Sequence, residues 1–362
     1  MAKKLRIATM VSAHYTTPPP KGVIYAPMDI AVELTAGLAQ KGHKIDFYGP
    51  QGTKVEGARV VDCGLPALFE KKGKTVLESH GIRDMEKDKV FNLWDQYLIS
   101  RMFAAAAKGK YDLLHIHPID RTLPIALARP DVKVVYTIHD PIYPWKAEIF
   151  KMFQSPNQGY VSISDAQRKP APKINYLATV YNGIRLEEFK YSASHDDYLL
   201  FVGRITPEKG VAEAVEAARL TGERLMIIGP APDNDYWNKK IKPYLGKKIT
   251  HINFVPRKSL FKYYRRAKAL LFPIQWEEPF GLVMTESMAC GTPVIAMRRG
   301  SVPEVIADGK TGFVVDTVNQ MASAIKKIDS ISRAECRKHV EAGFSTERMV
   351  EGYEKVFQKF IG

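Results

Sequence analysis

Apolar and polar positions along the chain switch repeatedly between a strand period and a helix period. An apolar run at Leu5–Met10 reads as a first buried strand, and a loop holding Pro18, Pro19, Pro20 and Gly22 follows it. Ile30, Leu34 and Leu38 then recur at every fourth position, a helical stripe that Gly42 stops before a second strand at Lys44–Tyr48. Further apolar strands are predicted at Leu113–Ile116 and Val132–Ile138, with helical patterns between them. Strand and helix in this alternation predict a parallel sheet covered on both faces. Asn182 and Gly183 form a turn signal, and the polar stretch Tyr191–Asp197 marks a domain boundary. The pattern restarts with Tyr198–Val202, an Ala-rich helix over Val211–Leu220, and strands at Leu225–Ile228, Ile249–Phe254, Ala269–Phe272 and Pro293–Ala296. The final stretch, Thr346–Phe360, places Met349, Tyr353, Val356 and Phe360 on one side of a helix. The predicted organisation is α/β: a Rossmann-like doubly wound domain over residues 1–190, a second over 191–345, and a helix over 346–362 crossing back onto the first. Ligands of such sheets bind beyond the carboxyl ends of the strands. Two domains facing each other across a cleft would therefore carry their chemistry in the loops that follow strands.

Composition narrows the class. The chain has 362 residues, more than one hydrophobic core usually serves, and 45% hydrophobic with 25% charged residues is an ordinary globular mix. Cys63, Cys290 and Cys336 show no CxxC spacing, which argues against a disulfide framework or structural zinc and fits a reducing compartment. The opening MAKKLRIATMVS turns polar too soon for a signal peptide. No run approaches the roughly 18–20 apolar residues of a membrane span, so a cytoplasmic chain is expected. The net charge of +14 is spread along the sequence, without zinc-finger spacing or an aromatic RNA-binding signature, and no nucleic-acid partner is expected. Tyr143, Trp145, Phe150 and Phe153, with Lys71–Lys74 and Arg101, leave peripheral association with an anionic membrane open beside plain core packing.

The densest chemistry lies in Trp276–Ile306. A strand ends near Pro273, a loop carries Glu277 and Glu278, and Phe280 and Gly281 lead into a helix that Gly291 and Pro293 end. Gly281 thus stands at a helix N-terminus, where backbone N–H groups and the helix dipole favour a phosphate. Glu278 and Glu286, eight residues apart, flank that point, and each carboxylate can accept hydrogen bonds from two hydroxyls. The plainer alternative is a solvated Glu278 and a locally paired Glu286. The segment Phe201–Gly210 offers Gly203 for close backbone approach, Arg204 as a forked donor and Lys209 as a mobile cation. Ordinary surface cations are the alternative there.

In combination and order, these segments resemble the retaining glycosyltransferase family 4, whose two-domain fold is termed GT-B. The resemblance rests on Gly203-Arg204 with Lys209-Gly210, on Glu278 and Glu286 with seven residues between them, on Phe280-Gly281, and on the run from Ala289 to Val294. It covers nearly the whole chain and is densest from Phe201 to Val315. It implies that Arg204 and Lys209 hold a donor diphosphate, that Glu278 and the backbone of Phe280, Gly281 and Leu282 hold the donor sugar and its phosphates, that Glu286 holds the ribose, and that main chain near Val255 meets the base.

The first half is expected to supply the acceptor side. His115 and His117 point to one face of a strand, and His117 is nearer the loop. A metal is the alternative for such a pair, but no third ligand is evident. In the resembling enzymes the position of His117 faces the donor sugar; His139 is a second candidate. Gly22 stands where the family has a Gly-Gly loop followed by an acidic residue, and Ile184-Arg185 stands where it usually has Val-Asp. The resemblance implies a UDP- or GDP-sugar donor, a saccharide, lipid-linked or small-molecule acceptor, no cofactor and no essential metal. An epimerase or phosphorylase on the same fold and a non-catalytic sugar-nucleotide-binding protein are the rivals. Gly309-Lys310-Thr311 ends like a P-loop, but Glu304 occupies the required first glycine.

Overall fold

The computed structural model describes residues 3–20, 23, 25–69 and 86–362. Gly22 and Lys71–Lys74 lie outside the described residues. The chain divides into two compact units. One comprises Met1–Ile163, Arg168–Val180 and Met349–Gly362; the other comprises Ser164–Gln167 and Tyr181–Arg348.

The first unit holds β1 (Arg6–Met10), α1 (Ala26–Gln40), β2 (Lys44–Tyr48), β3 (Arg59–Val61), α2 (Lys87–Ala106), β4 (Leu113–Ile116), α3 (Ile119–Ala128), β5 (Val134–Ile138), α4 (Pro144–Met152), β6 (Gln158–Ser162) and β7 (Tyr176–Thr179). Its sheet has seven strands in the order β3-β2-β1-β4-β5-β6-β7. All pairs are parallel, as β1 shows against both β2 and β4. The central strands are apolar on both faces because helices cover both. In α1 the stripe Ile30, Leu34 and Leu38 is buried, Pro27 opens the helix, and Gly42, at φ +90°, lets the chain turn out of it. The aromatic stretch divides: Phe150 is fully buried in the core beside Tyr160, whereas Tyr143 and Trp145 are 48% and 58% exposed. Core packing therefore accounts for Phe150.

The second unit holds β8 (Leu199–Val202), α5 (Val211–Thr221), β9 (Leu225–Ile228), β10 (Ile249–Ile252), α6 (Arg257–Tyr264), β11 (Ala269–Phe272), α7 (Leu282–Ala289), β12 (Val294–Met297), α8 (Val302–Val305), β13 (Gly312–Val315), α9 (Val318–Ile325) and α10 (Arg333–Gly343). Its six strands run β10-β9-β8-β11-β12-β13, again all parallel. Cys290 and Cys336 are buried, Cys63 is half-buried, and all three are free; burial pushes both buried thiols up to about 12.

The closing helix, α11 (Thr346–Ile361), contributes everything from Met349 onward to the first unit. Its Tyr353 hydroxyl lies 2.8 Å from Thr137 Oγ1, and Glu354 pairs with His43 at 3.1 Å and Lys41 at 2.9 Å. Phe357 packs against the His115 ring at 5.3 Å. No helix among the described residues is long and apolar enough to cross a membrane.

Candidate active site

Each sheet has one point where the strand order reverses, and a ligand crevice is expected beyond the carboxyl ends of the strands there. In the second unit that point lies between β8 and β11, so the loops 203–210 and 273–281 should adjoin. They do. The Gln275 N–H donates to Glu208 O at 2.9 Å. Gly210 has φ +72°, and a Cβ there would stand 1.8 Å from Pro273 O, so only glycine lets the loops come this close. Across the contact, Lys209 Nζ donates to Glu278 Oε2 at 2.6 Å. Trp276 Nε1 donates to the same oxygen at 3.0 Å, and Lys209 sits 4.8 Å from the Trp276 ring centre. Arg204 is exposed at the start of the loop after β8, beside Gly203, whose N–H donates to Ile228 O at 3.0 Å.

Gly281 occupies the N-cap of α7 in the left-handed region, φ +80°. The first N–H groups of α7, from Leu282 on, have no carbonyl within the helix to bond. Phe280 turns its ring into the core, 2% exposed and packed on Phe344, so its main chain is the part offered to a ligand. The loop after β12 braces this segment. Ser301 Oγ donates to Phe280 O at 2.8 Å, Ser301 N to Glu278 O at 2.9 Å, and Gly300 N to Glu277 Oε2 at 2.7 Å.

Glu286, inside α7, is only 4% exposed and is locally paired. Arg257 Nε donates to its Oε1 at 3.1 Å and the Tyr264 hydroxyl to its Oε2 at 3.0 Å. Burial first, and the Glu286 carboxylate second, push the Tyr264 phenol well above its usual range. Val255 is half-buried two residues before α6, on the segment that delivers Arg257. The structure thus brings Lys209, Glu278, Gly281 and their backbone neighbours to one place. It adds Trp276, Arg257, Tyr264 and Ser301, which the sequence reading missed. Only Trp276 and Arg257 carried a signal, by standing two residues from Glu278 and Val255.

In the first unit, His117 and His139 directly follow or lie just beyond β4 and β5. They line a pocket of about 510 Å³ together with Arg121, Asp120, Lys146 and Asn92. Asp95, fully buried, accepts from Ala13 N at 2.7 Å and pairs with Arg121, while Arg121 Nε donates to Asn92 Oδ1 at 2.6 Å. His117 Nδ1 lies 2.6 Å from His139 Nε2. His115 instead meets Thr137 Oγ1 at 2.8 Å. Among the described residues no group of three or more His, Cys, Asp or Glu is placed to hold a metal ion.

Burial disfavours the charged form of all three imidazoles, lowering His115 to about 3, His139 to about 4 and His117 well below its usual value. In the unfolded chain these groups take up protons near pH 6.5, so the unfolded state binds more protons than the folded one below that pH. Stability from this cluster is therefore present above about pH 6.5 and lost as pH falls toward 4. Asp95, raised by burial, works the other way and offsets part of the loss. The melting temperature is expected to fall steadily from pH 6.5 to 4. A flat profile over that interval would show that these histidines are not buried neutral.

The sequence profile described as Glycosyltransferase Family 4 matches residues 30–188, and that described as Glycosyl transferases group 1 matches 185–343. An uncharacterized glycosyltransferase of Methanocaldococcus jannaschii is 32% identical over 196 residues, covering 51% of this chain and 54% of that protein. The match therefore spans about half of that relative's length. The N-acetyl-alpha-D-glucosaminyl L-malate synthase of Bacillus anthracis is 23% identical over 370 residues, covering 91% of this chain and 92% of the relative. Among solved structures, the Anabaena protein HepE in complex with UDP and glucose superposes with a TM-score of 0.68 at 14% identity, covering 97% of this chain and 98% of that one. Two Rossmann-like parallel sheets, with the likeness to HepE over nearly the whole chain, define the GT-B fold. The chain belongs to glycosyltransferase family 4.

Proposed function

We propose that the chain moves a sugar from a UDP- or GDP-linked donor to a hydroxyl of a saccharide, lipid-linked or small-molecule acceptor, with retention and without a metal. The observation that carries this reading is the junction of the two loops: Lys209, in the loop that also carries Arg204, lies 2.6 Å from Glu278, which stands three residues before the N-cap of α7. The donor diphosphate would lie against Arg204, Lys209 and the first N–H groups of α7, with Gly203 allowing close backbone approach. These groups would stabilise the negative charge that grows on the leaving diphosphate, the role a metal plays elsewhere. Glu278, held by Lys209 and Trp276, would accept from donor-sugar hydroxyls. Glu286 would accept from the ribose, and the segment at Val255 would meet the base.

No carboxylate in the motifs is suited to act as a nucleophile, so retention would follow from front-side attack. As the bond between the anomeric carbon and the diphosphate oxygen breaks, the acceptor oxygen bonds to the same face of that carbon. Its proton passes to an oxygen of the departing diphosphate. The pocket beside His117 in the first unit is the proposed acceptor side, and the exposed Tyr143 and Trp145 would serve any contact with an anionic membrane.

A panel of nucleotide sugars tests the reading. The true donor at 100 times its dissociation constant should add about 2.7 kcal/mol of stability. That is a rise of several degrees in melting temperature for domains of this size. Consumption of that donor should then depend on an added acceptor. Donor turnover that needs no acceptor would point to an epimerase, and stabilisation without any turnover to a binding protein. UDP-glucose is the first donor to try, because HepE was solved with UDP and glucose.

A further inference from the structure

Arg121 from α3, Lys146 from α4 and Tyr25 at the N-cap of α1 all stand in the wall of the 510 Å³ pocket of the first unit. Arg121 is fixed from behind. Its Nε donates to Asn92 Oδ1 at 2.6 Å and its Nη1 donates to Asp95, which is fully buried and also accepts from Ala13 N. Its Nη2 has no acceptor among the described residues, so one edge of a rigid fork is left over. Asp95 is not part of the pocket wall. A molecule in the pocket therefore meets the guanidinium and not the carboxylate that holds it.

Lys146 presents a second cation. Its side chain is only 12% exposed, and its ammonium lies 5.8 Å from the centre of the Phe150 ring. Its ion-pair partner Asp120 is 3.7 Å away, beyond hydrogen-bond reach, and no other described residue accepts from it. A charge so far removed from water costs free energy unless it is hydrogen-bonded, and Lys146 lacks the bonds. Burial, helped by Asp95 and Asp140, pushes the Tyr25 phenol up to about 12, so it keeps its proton. Its hydroxyl also has no partner among the described residues. Asp120 and Asp140 are exposed parts of the same wall, where water and salt screen them, and His117 and His139 are neutral. What the pocket holds in reserve is donors, two of them charged.

We infer that the acceptor is a sugar-sized molecule bearing a carboxylate or phosphate, which accepts from Arg121 Nη2, Lys146 Nζ and the Tyr25 hydroxyl. A neutral hydroxyl satisfies one donor at a time. An anionic group offers several oxygens at once and supplies the counter-charge that Lys146 lacks. The inference rests on the reading of this pocket as the acceptor side, and it narrows the proposed acceptors to acidic ones. Asp95 and Asn92 serve as positioning residues for the guanidinium.

Glucose, glucuronate and glucose 6-phosphate differ chiefly in charge, and calorimetric titration of each into the full chain tests the inference. At least one of the two acids should bind tenfold or more tighter than glucose, the scale of one charge-assisted hydrogen bond. Which acid it is separates a carboxylate from a phosphate. Lys146→Met keeps the stem against Phe150 and should remove about tenfold of that preference while leaving glucose unchanged. Arg121→Lys keeps a charge beside Asp95, so the fold is retained, but it loses the fork and should also weaken the acid alone. Lys209→Ala should leave the preference intact. Acids that bind no better than glucose, undetected binding of all three included, would overturn the inference. So would a preference that survives both Lys146→Met and Arg121→Lys, or one lost in Lys209→Ala, which would place the anion at the donor loops. The titrations need no donor. A chain that shows the preference yet consumes no nucleotide sugar would count against the transferase reading alone, and one that consumes donor only with neutral acceptors would count against this inference alone.

Discussion

Replacing Lys209 with alanine is expected to lower kcat by about 100-fold or more while leaving the melting temperature within a few degrees of wild type. A cation aimed at a leaving group contributes most when charge has moved onto that group, so its loss is felt in the transition state more than in donor binding. The variant should therefore show its defect in kcat, with a smaller change in the KM for donor. Glu278 keeps its bond from Trp276 Nε1, and the loop after β11 keeps its main-chain bonds to Glu208 and Ser301. Arg204→Ala should act in the same direction. The double variant should fall short of the product of the two effects, because both cations would serve one diphosphate. Turnover within about threefold of wild type in both single variants would mean that the charge of the leaving group is borne elsewhere.

Glu286 is the site of the second large effect, and here stability and binding are both at stake. Glu286→Ala removes the acceptor of the buried Tyr264 hydroxyl and the partner of Arg257. Breaking a buried pair by deleting one member typically costs about 3–5 kcal/mol. Because Arg257 is partly exposed, about 3 kcal/mol is the expected loss, a fall of roughly 6–12 °C in melting temperature. Glu286→Gln separates the two roles. Its amide oxygen can accept from Arg257, and its amide nitrogen can donate to the Tyr264 oxygen. Most of the stability should return, yet one acceptor for the ribose is gone, and the KM for donor should stay raised by tenfold or so. A Glu286→Gln enzyme with wild-type KM would reduce Glu286 to a structural brace.

The strands readable from sequence are those whose side chains are almost all buried. Leu113–Ile116, Lys44–Tyr48, Leu225–Ile228 and Ala269–Phe272 match the observed elements residue for residue. β6 was invisible because it opens on Gln158 and Gly159. Gln158 is buried only because its side chain bonds with Tyr136 and Phe153 O, and Gly159 leaves room for Leu177, 2.5 Å from where a Cβ would stand. β3, β7 and β13 lie at or beside sheet edges, and β3 and β7 lack the fully buried pattern that betrays a central strand.

The site was legible to a similar degree and for a related reason. A glycine in a left-handed helix cap and two glutamates at a fixed spacing are local features, written within one segment. Partnerships such as Lys209 with Glu278 join residues far apart in sequence, and only the order of strands in the sheet makes them neighbours.

The path of the chain into its first unit bears on how the protein is made and dissected. That unit is assembled from segments on both sides of the second unit, and Tyr353, Glu354 and Phe357 supply contacts to Thr137, His43 and His115. A fragment ended near Val180 would expose the surface those side chains cover and should aggregate rather than survive as an autonomous piece. During synthesis the second unit can complete itself while the first waits, unfinished, for the last turns of α11 to emerge from the ribosome. The strands translated before the second unit therefore lock only after it.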